Sequence, residues 1–428
     1  MKRVILALSV CLVQELRAIP NSVFGPVATA ESPLNGKDLT TELLAPALWA
    51  GKSALPGEWM HENRIASAEV SHLLARPKLF GREVVFLRAT RRNDRVESLE
   101  ATFADAGSFF GYFDEKLPEH LDRRARREEL NRRLAERQNE FSTQYAETLD
   151  ALLTEIPRAT GSRKPKSSKI GHTRTLRAET RDFSAGDLTI RLLADGQRLI
   201  RVILSPTASA RDVWLDEDMA KLQPRERVRR LRESVRALPD GTVSIDGLQP
   251  LPQGYRPYCG LNSLAIAARH FGLHLDEDWL AASGGFQNTG TADGSRILTL
   301  YPAVASEAGF AMERTSRFDE TAVRRALSNG FPVVVWRRFC HERDQLHTRF
   351  LRTYQRDPQA TLPDPKSPAE RASWPGEQAP LHASVLTGYH DQRREILFLE
   401  SWSGRDIPRR MTTEEMAATA YLTFVFHP

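Results

Sequence analysis

The sequence has no apolar run of about 18 residues, so no membrane-spanning helix is expected. Its 428 residues include three cysteines, too few for a disulfide-dense scaffold or a four-cysteine zinc site. Charge of one sign is nearly lacking as well: 60 Lys+Arg stand against 55 Asp+Glu, a net of +5, which does not point to nucleic acid. There is no H-E-x-x-H. The nearest approach, His341-Glu342 with His347, is spaced H-E-x4-H, so neither a metal nor a cofactor is expected. What is there suffices for globular structure. The 41% hydrophobic residues exclude wholesale disorder, and the length suggests two or three domains at roughly 100–200 residues each.

The first residues read as an export signal. Lys2 and Arg3 precede a ten-residue apolar core, Val4 to Val13, too short to span a bilayer and long enough for a signal peptide. Ala28-Thr29-Ala30 and Leu16-Arg17-Ala18 are the two candidate cleavage sites. Residues 1–30 are therefore assigned to a signal peptide and the protein to an exported, periplasmic or secreted, location. Cys11 would leave with the signal, so Cys259 and Cys340 are the thiols of the mature chain.

Residues 31–240 form an α+β region with hairpins and a long charged helix. Glu83 to Arg88 and Ser98 to Phe103 read as strands around a turn at Arg92-Asn93-Asp94. Leu117 to Leu152 mixes Arg, Glu and Leu without glycine. It reads as one long exposed helix whose interleaved charges form i,i+4 pairs rather than a nucleic-acid surface. Arg158 to Arg174, rich in Lys, Arg, Ser and Gly, reads as a basic linker. Leu188 to Leu193 and Leu199 to Leu204 flank Asp195-Gly196, favoured hairpin chemistry. The likeness of the two hairpins hints at an internal duplication. A charged helix is expected over Pro224 to Ala237, before a turn at Pro239-Asp240-Gly241. No catalytic motif stands out in this half.

The informative half runs over residues 243–428. In Leu251 to Gly272, Gln253 and Cys259 lie six residues apart in a Gly/Pro-rich loop. Leu261, Leu264, Ala265, Ala268 and Phe271 then repeat at helical spacing, and Gly272 can close the helix. Cys259 thus stands at a helix N-terminus, where unpaired N–H groups and the helix dipole favour the thiolate. Gly260 is expected to let the backbone approach a bound substrate. The matching base is His382, at the start of a strand running to Tyr389. After a polar turn from His390 to Arg394, Glu395 to Leu399 forms a second strand. Antiparallel pairing would return Glu400 beside His382, where its carboxylate can accept the imidazole N–H and stabilise the imidazolium. His390, the rival base, falls at the far end of the first strand.

These residues resemble the papain-like cysteine peptidases, and among them the C39-like branch of bacterial peptidases. Four motifs carry the resemblance: Q-x5-C-G from Gln253 to Gly260, the apolar helix after it, H-A-x4-G-Y from His382 to Tyr389, and an acidic residue before S-W-x-G, here Glu400 to Gly404. It covers about residues 243–428 and none of the N-terminal half. It implies an α+β papain-like domain, with a helical layer carrying Cys259 against an antiparallel sheet carrying His382 and Glu400. It also implies a cysteine peptidase acting on peptide or protein substrates, with Gln253 as oxyanion donor, Cys259 as nucleophile, His382 as proton shuttle and Glu400 as its orienting group. Two departures stand out. Position 400 is Glu where the family more often has Asp or Asn, and Phe339 to Leu381 is a long polar insertion before the histidine.

Three other readings stay open on the sequence. Cys259 and Cys340 can pair as a disulfide in an oxidising compartment. The fold can serve as a non-catalytic binding module. The same residues can act as an amidase or acyltransferase. The oligomeric state is unassigned.

Overall fold

The computed structural model describes residues 31–65, 68–110, 122–162, 164–196, 198–251, 258–286, 297–401 and 407–428. The signal segment 1–30, Gln253 and the Trp402–Gly404 part of the fourth motif lie outside the described residues. The chain divides into two compact units. Among the described residues, one takes those within 31–168 and 179–210; the other takes those within 169–178, 211–251 and 258–428. Among the described residues no helix is long and apolar enough to cross a membrane.

The first unit is built on β1 (Trp59–Ile65), β2 (Ala68–Leu73), β3 (Phe86–Arg92), β4 (Arg95–Asp105), β5 (Lys166–Ile170), β6 (Ala178–Ala185), β7 (Leu188–Asp195) and β8 (Leu199–Pro206). They form one sheet in the order β1-β2-β3-β4-β8-β7-β6-β5, two four-stranded runs meeting at the antiparallel β4·β8 pair. The two hairpins noticed in the sequence are β3·β4 and β7·β8. Asn93 and Asp94 both have positive φ, 49° and 60°, which makes the two-residue turn whose twist suits paired strands. The second hairpin closes at Asp195↔Leu199, one residue wider than Asp-Gly alone suggests.

The long helix α1 runs Arg123–Thr160, capped by Asp122, whose carboxylate accepts from the Arg124 and Ala125 N–H groups. One stripe, Phe141, Tyr145, Leu152 and Ile156, is buried. The exposed side carries pairs such as Arg132–Glu136 and Arg133–Glu129, so several of its arginines are paired with its own glutamates. The helix extends past Leu152 and ends at Gly161, φ 69°. Where the sequence suggests a linker, Arg158 to Arg174, the structure therefore has a helix end and then β5.

The second unit carries the informative half. It comprises α2 (Pro224–Glu233), β9 (Val235–Ala237), β10 (Thr242–Ile245), α3 (Cys259–His270), α4 (Ile297–Ala308), β11 (Ala311–Thr315), α5 (Glu320–Ser328), β12 (Val333–Arg338), α6 (His341–Arg356), β13 (Leu381–His390), β14 (Glu395–Glu400), β15 (Arg409–Thr412), α7 (Thr413–Thr419) and β16 (Ala420–His427). The strands form an antiparallel sheet in the order β9-β10-β13-β12-β16-β11, with β14 on β13 and β15 on β14. Helix α2 stops at Glu233, short of the expected Ala237, because Val235–Ala237 pairs with β10 instead.

Strand β13 is the hub. It pairs β12 along its first half, β10 along its second, and β14 on its other edge. Gly388 is required where β10 joins, since a Cβ there would lie 2.4 Å from the Val243 carbonyl oxygen. Phe271, Phe310, Phe331 and Phe426 pack at centroid distances of 5.0–6.0 Å and hold α3 to the sheet.

Candidate active site

Cys259 is the first residue of α3, and every residue from Cys259 to Ala268 is buried. A helix so enclosed needs its first turn fixed by neighbours. Ser263 Oγ donates to the Ala383 carbonyl at 3.2 Å. Cys259 lies four residues before Ser263 on the same helix face, so this bond turns the sulfur toward the His382 end of β13. Tyr301 Oη donates to the Gly260 carbonyl at 2.8 Å, and Trp336 Nε1 to Tyr301 Oη at 3.4 Å. A Cβ on Gly260 would lie 2.3 Å from Trp336 Cζ2. The glycine after the cysteine thus admits an indole. Burial holds the Tyr301 phenol well above its usual range, so it stays a donor.

The sheet register places the other groups. His382 faces Arg337 across β12·β13, and Ser384 faces Glu400 across β13·β14. His382 and Ser384 are two apart and share a face. Glu400 is therefore the diagonal neighbour of His382, about 7–8 Å away at the backbone, and the extra methylene of Glu over Asp spans that offset. His382 Nε2 and Glu400 Oε2 are 2.5 Å apart. With Nε2 so engaged, Nδ1 is the ring nitrogen left for Cys259, whose side chain acts on His382. The Phe339 ring lies 5.6 Å from the imidazole, centroid to centroid.

Burial of His382 disfavours its charged form. The Glu400 charge, the His382 N–H donated to the Glu400 carboxylate, and the neighbouring Cys259 side chain outweigh this and lift its pKa to about 9. Burial likewise opposes ionisation of Glu400, but His382 and Arg337 hold it down, at about 2. Across the pH range between those values the pair is an imidazolium facing a carboxylate.

Of the residues singled out in the sequence, Cys259, His382 and Glu400 come together, and Gln253 lies outside the described residues. His390 sits opposite Glu395 at the other end of β13. Cys259 and Cys340 are both free thiols. His341 contacts Gln345 and His347 contacts Glu415, and among the described residues no cluster of three His, Cys, Asp or Glu is placed to hold a metal. Sequence reasoning missed Arg337 and Ser384. Arg337 Nη2 donates to Glu400 Oε1 at 2.6 Å, Arg337 Nε to Ser384 Oγ at 3.1 Å, and Ser384 Oγ lies 3.1 Å from both Glu400 oxygens. The one signal was period 2: Val333, Val335 and Arg337 share a face, so a charge closes an otherwise apolar row.

Residues 245–426 match the model of the Peptidase_C39 like family. Over those residues the C-terminal half is similar to that family. Its mixed helices and antiparallel sheet make it α+β, as papain-like domains are. No curated protein matches the chain.

The ionisation states of this C39-like domain imply a pH dependence. Glu400 and Glu415 are both held at about 2, and Asp216 is also lowered, by its hydrogen bond to His274. A depressed carboxylate stabilises the fold above its unfolded value, about 4.3, and that contribution disappears as pH falls toward 2. The raised His382 works oppositely: its contribution is complete below about 6.5 and is lost through pH 9. The midpoint of thermal unfolding of the full chain should therefore fall steadily from pH 5 to pH 3 and decline again above pH 8. A flat profile across pH 3–5 would contradict the buried carboxylates.

Proposed function

We propose that the C39-like domain is a cysteine peptidase, exported from the cell by the segment around Lys2, Arg3 and Val4 to Val13, and that it hydrolyses peptide bonds. The observation that carries this reading is the buried relay: His382 lies 2.5 Å from Glu400 on one side and within electrostatic reach of Cys259 on the other. The reaction starts from the pair with its proton already on His382, and the Cys259 sulfur, as thiolate, attacks the scissile carbonyl carbon. The oxyanion is met by backbone N–H groups at the start of α3 and, on the family resemblance, by the side chain of Gln253. His382 then gives its proton to the departing amine as the C–N bond breaks, leaving a thioester. A water loses a proton to His382 and attacks the thioester carbonyl. The carboxylic acid leaves, and the Cys259 thiolate is restored beside the His382 imidazolium. Glu400 holds the imidazole orientation and its charge throughout.

The test is an electrophilic thiol probe followed by peptide mapping, with turnover of a peptide library by the wild type and by Cys259→Ala. Labelling at Cys259 in preference to Cys340 is expected, because burial raises the Cys340 pKa. Turnover should vanish in Cys259→Ala. An unlabelled Cys259 with no turnover by the wild type would leave a binding module, and equal turnover in the variant would remove Cys259 as the nucleophile. Hydrolysis of small amides alone would make the protein an amidase.

A further inference from the structure

The Glu at position 400 poses a geometric difficulty. It has one more rotatable bond than the Asp or Asn more usual at this position, so it reaches His382 diagonally but has more ways of missing it. In this structure the freedom is removed by two side chains. Arg337 Nη2 grips Oε1 at 2.6 Å and Arg337 Nε holds Ser384 Oγ at 3.1 Å. Ser384 Oγ in turn sits 3.1 Å from each carboxylate oxygen. The guanidinium is itself fixed, lying 5.2 Å from the Phe398 ring centroid and 5.9 Å from that of Phe339. Arg337 and Glu400 are each at most 2% exposed, so the clamp is desolvated and its geometry is held by packing.

We propose that Arg337 is a positioning residue of this site: with Ser384 it clamps one oxygen of Glu400 so that the other is presented to His382. The proposal rests on Cys259 and His382 being the reacting pair. Its second consequence is electrostatic. The charged and polar groups around His382 are Arg337 from β12, Ser384 from β13, Glu400 from β14 and Cys259 from α3, with Arg409 of β15 acting on Glu400. Arg337 offsets part of the Glu400 charge. Removing it leaves the carboxylate a stronger partner for the imidazolium, so His382 should hold its proton to higher pH and give it up to the leaving group less readily.

The test is the His382 imidazole titration by NMR on the full chain with labelled histidine, the resonance assigned with His382→Ala, alongside kcat and KM. Arg337→Met should raise the His382 midpoint by about one unit and lower kcat roughly 10- to 100-fold, the scale of losing an outer-shell partner, with a smaller change in KM. Arg337→Lys, which keeps the charge and the fold if methionine does not, should return the midpoint close to the wild-type value. It should leave kcat reduced, because one ammonium cannot bridge Ser384 and Glu400 together. A wild-type midpoint and kcat in Arg337→Met would overturn the proposal, as would an Arg337→Lys enzyme as fast as wild type. Failure of the wild type to turn over any peptide would instead strike at the peptidase reading, and the titration would still report on Arg337.

Discussion

Glu400→Gln should lower kcat/KM by about 10²- to 10⁴-fold, the usual range for losing a general acid–base partner, and destabilise the fold by about 3–5 kcal/mol. The amide has the shape of the carboxylate and can still accept the His382 Nε2–H, so the geometry survives and the charge alone is lost. Two groups then suffer. His382 keeps the burial that disfavours its charged form but loses the Glu400 charge that outweighed it, and the imidazolium is no longer maintained at neutral pH. Arg337 is left buried against an amide without its counter-charge. The two effects separate by experiment. The double variant Arg337→Met/Glu400→Leu removes both charges, so its loss of stability in urea should be smaller than the sum of the single variants. Activity should not return, since His382 still lacks its partner. A Glu400→Gln enzyme with wild-type kcat/KM would mean that the carboxylate has no part in the chemistry.

The contrast between Glu400 and Arg337 shows what the sequence made readable. Cys259, His382 and Glu400 each stand at an element boundary marked by local chemistry: a Gly/Pro-rich loop before a helix, the start of an alternating strand, and the end of its hairpin partner. Local pattern therefore suffices to find them. Even the β13·β14 hairpin follows from its polar turn. Its register does not, and register is what puts Ser384, not His382, opposite Glu400. Arg337 reaches the site through β12, whose pairing with β13 spans some forty intervening residues and leaves no mark on either strand. Gly260 has a second reason that the sequence did not reveal, because the indole that needs the space sits on that same distant strand. In the first unit the hairpins were visible through their turns. Their joining through β4·β8 was not, because that pair too is long-range.

The insertion before His382 is the other region where composition misled. Phe339 to Leu381 looked like a polar excursion, yet it holds a sixteen-residue helix, α6, fastened by buried charge. Arg343 donates to both oxygens of Glu415, through Nε at 2.9 Å and Nη2 at 2.5 Å, and Nη2 also reaches Glu370 at 2.6 Å. His347 Nε2 lies 3.1 Å from Glu415, and Asp344 accepts from Arg409 of β15. A helix of this length is marginal alone in water, so these contacts decide whether α6 exists. Glu415→Gln should cost about 3–5 kcal/mol, because Arg343 and His347 remain buried without the carboxylate. The loss should appear first as faster amide exchange over residues 341–356.

Glu370→Gln is the control. It leaves Glu415 in place and removes a more exposed partner, so α6 should stay protected. The loosening should also reach the chemistry. The chain leaves β12 at Arg338, seats Phe339 against the His382 ring, ties its N–H to the Pro380 carbonyl at 2.9 Å, and enters α6 two residues later. With α6 free, Phe339 loses its anchor on one side, and Glu415→Gln should lose kcat while Glu370→Gln keeps most of it. If exchange over 341–356 were unchanged in Glu415→Gln, the buried charges would be passengers and α6 would be held by apolar packing through Phe350 and Leu351.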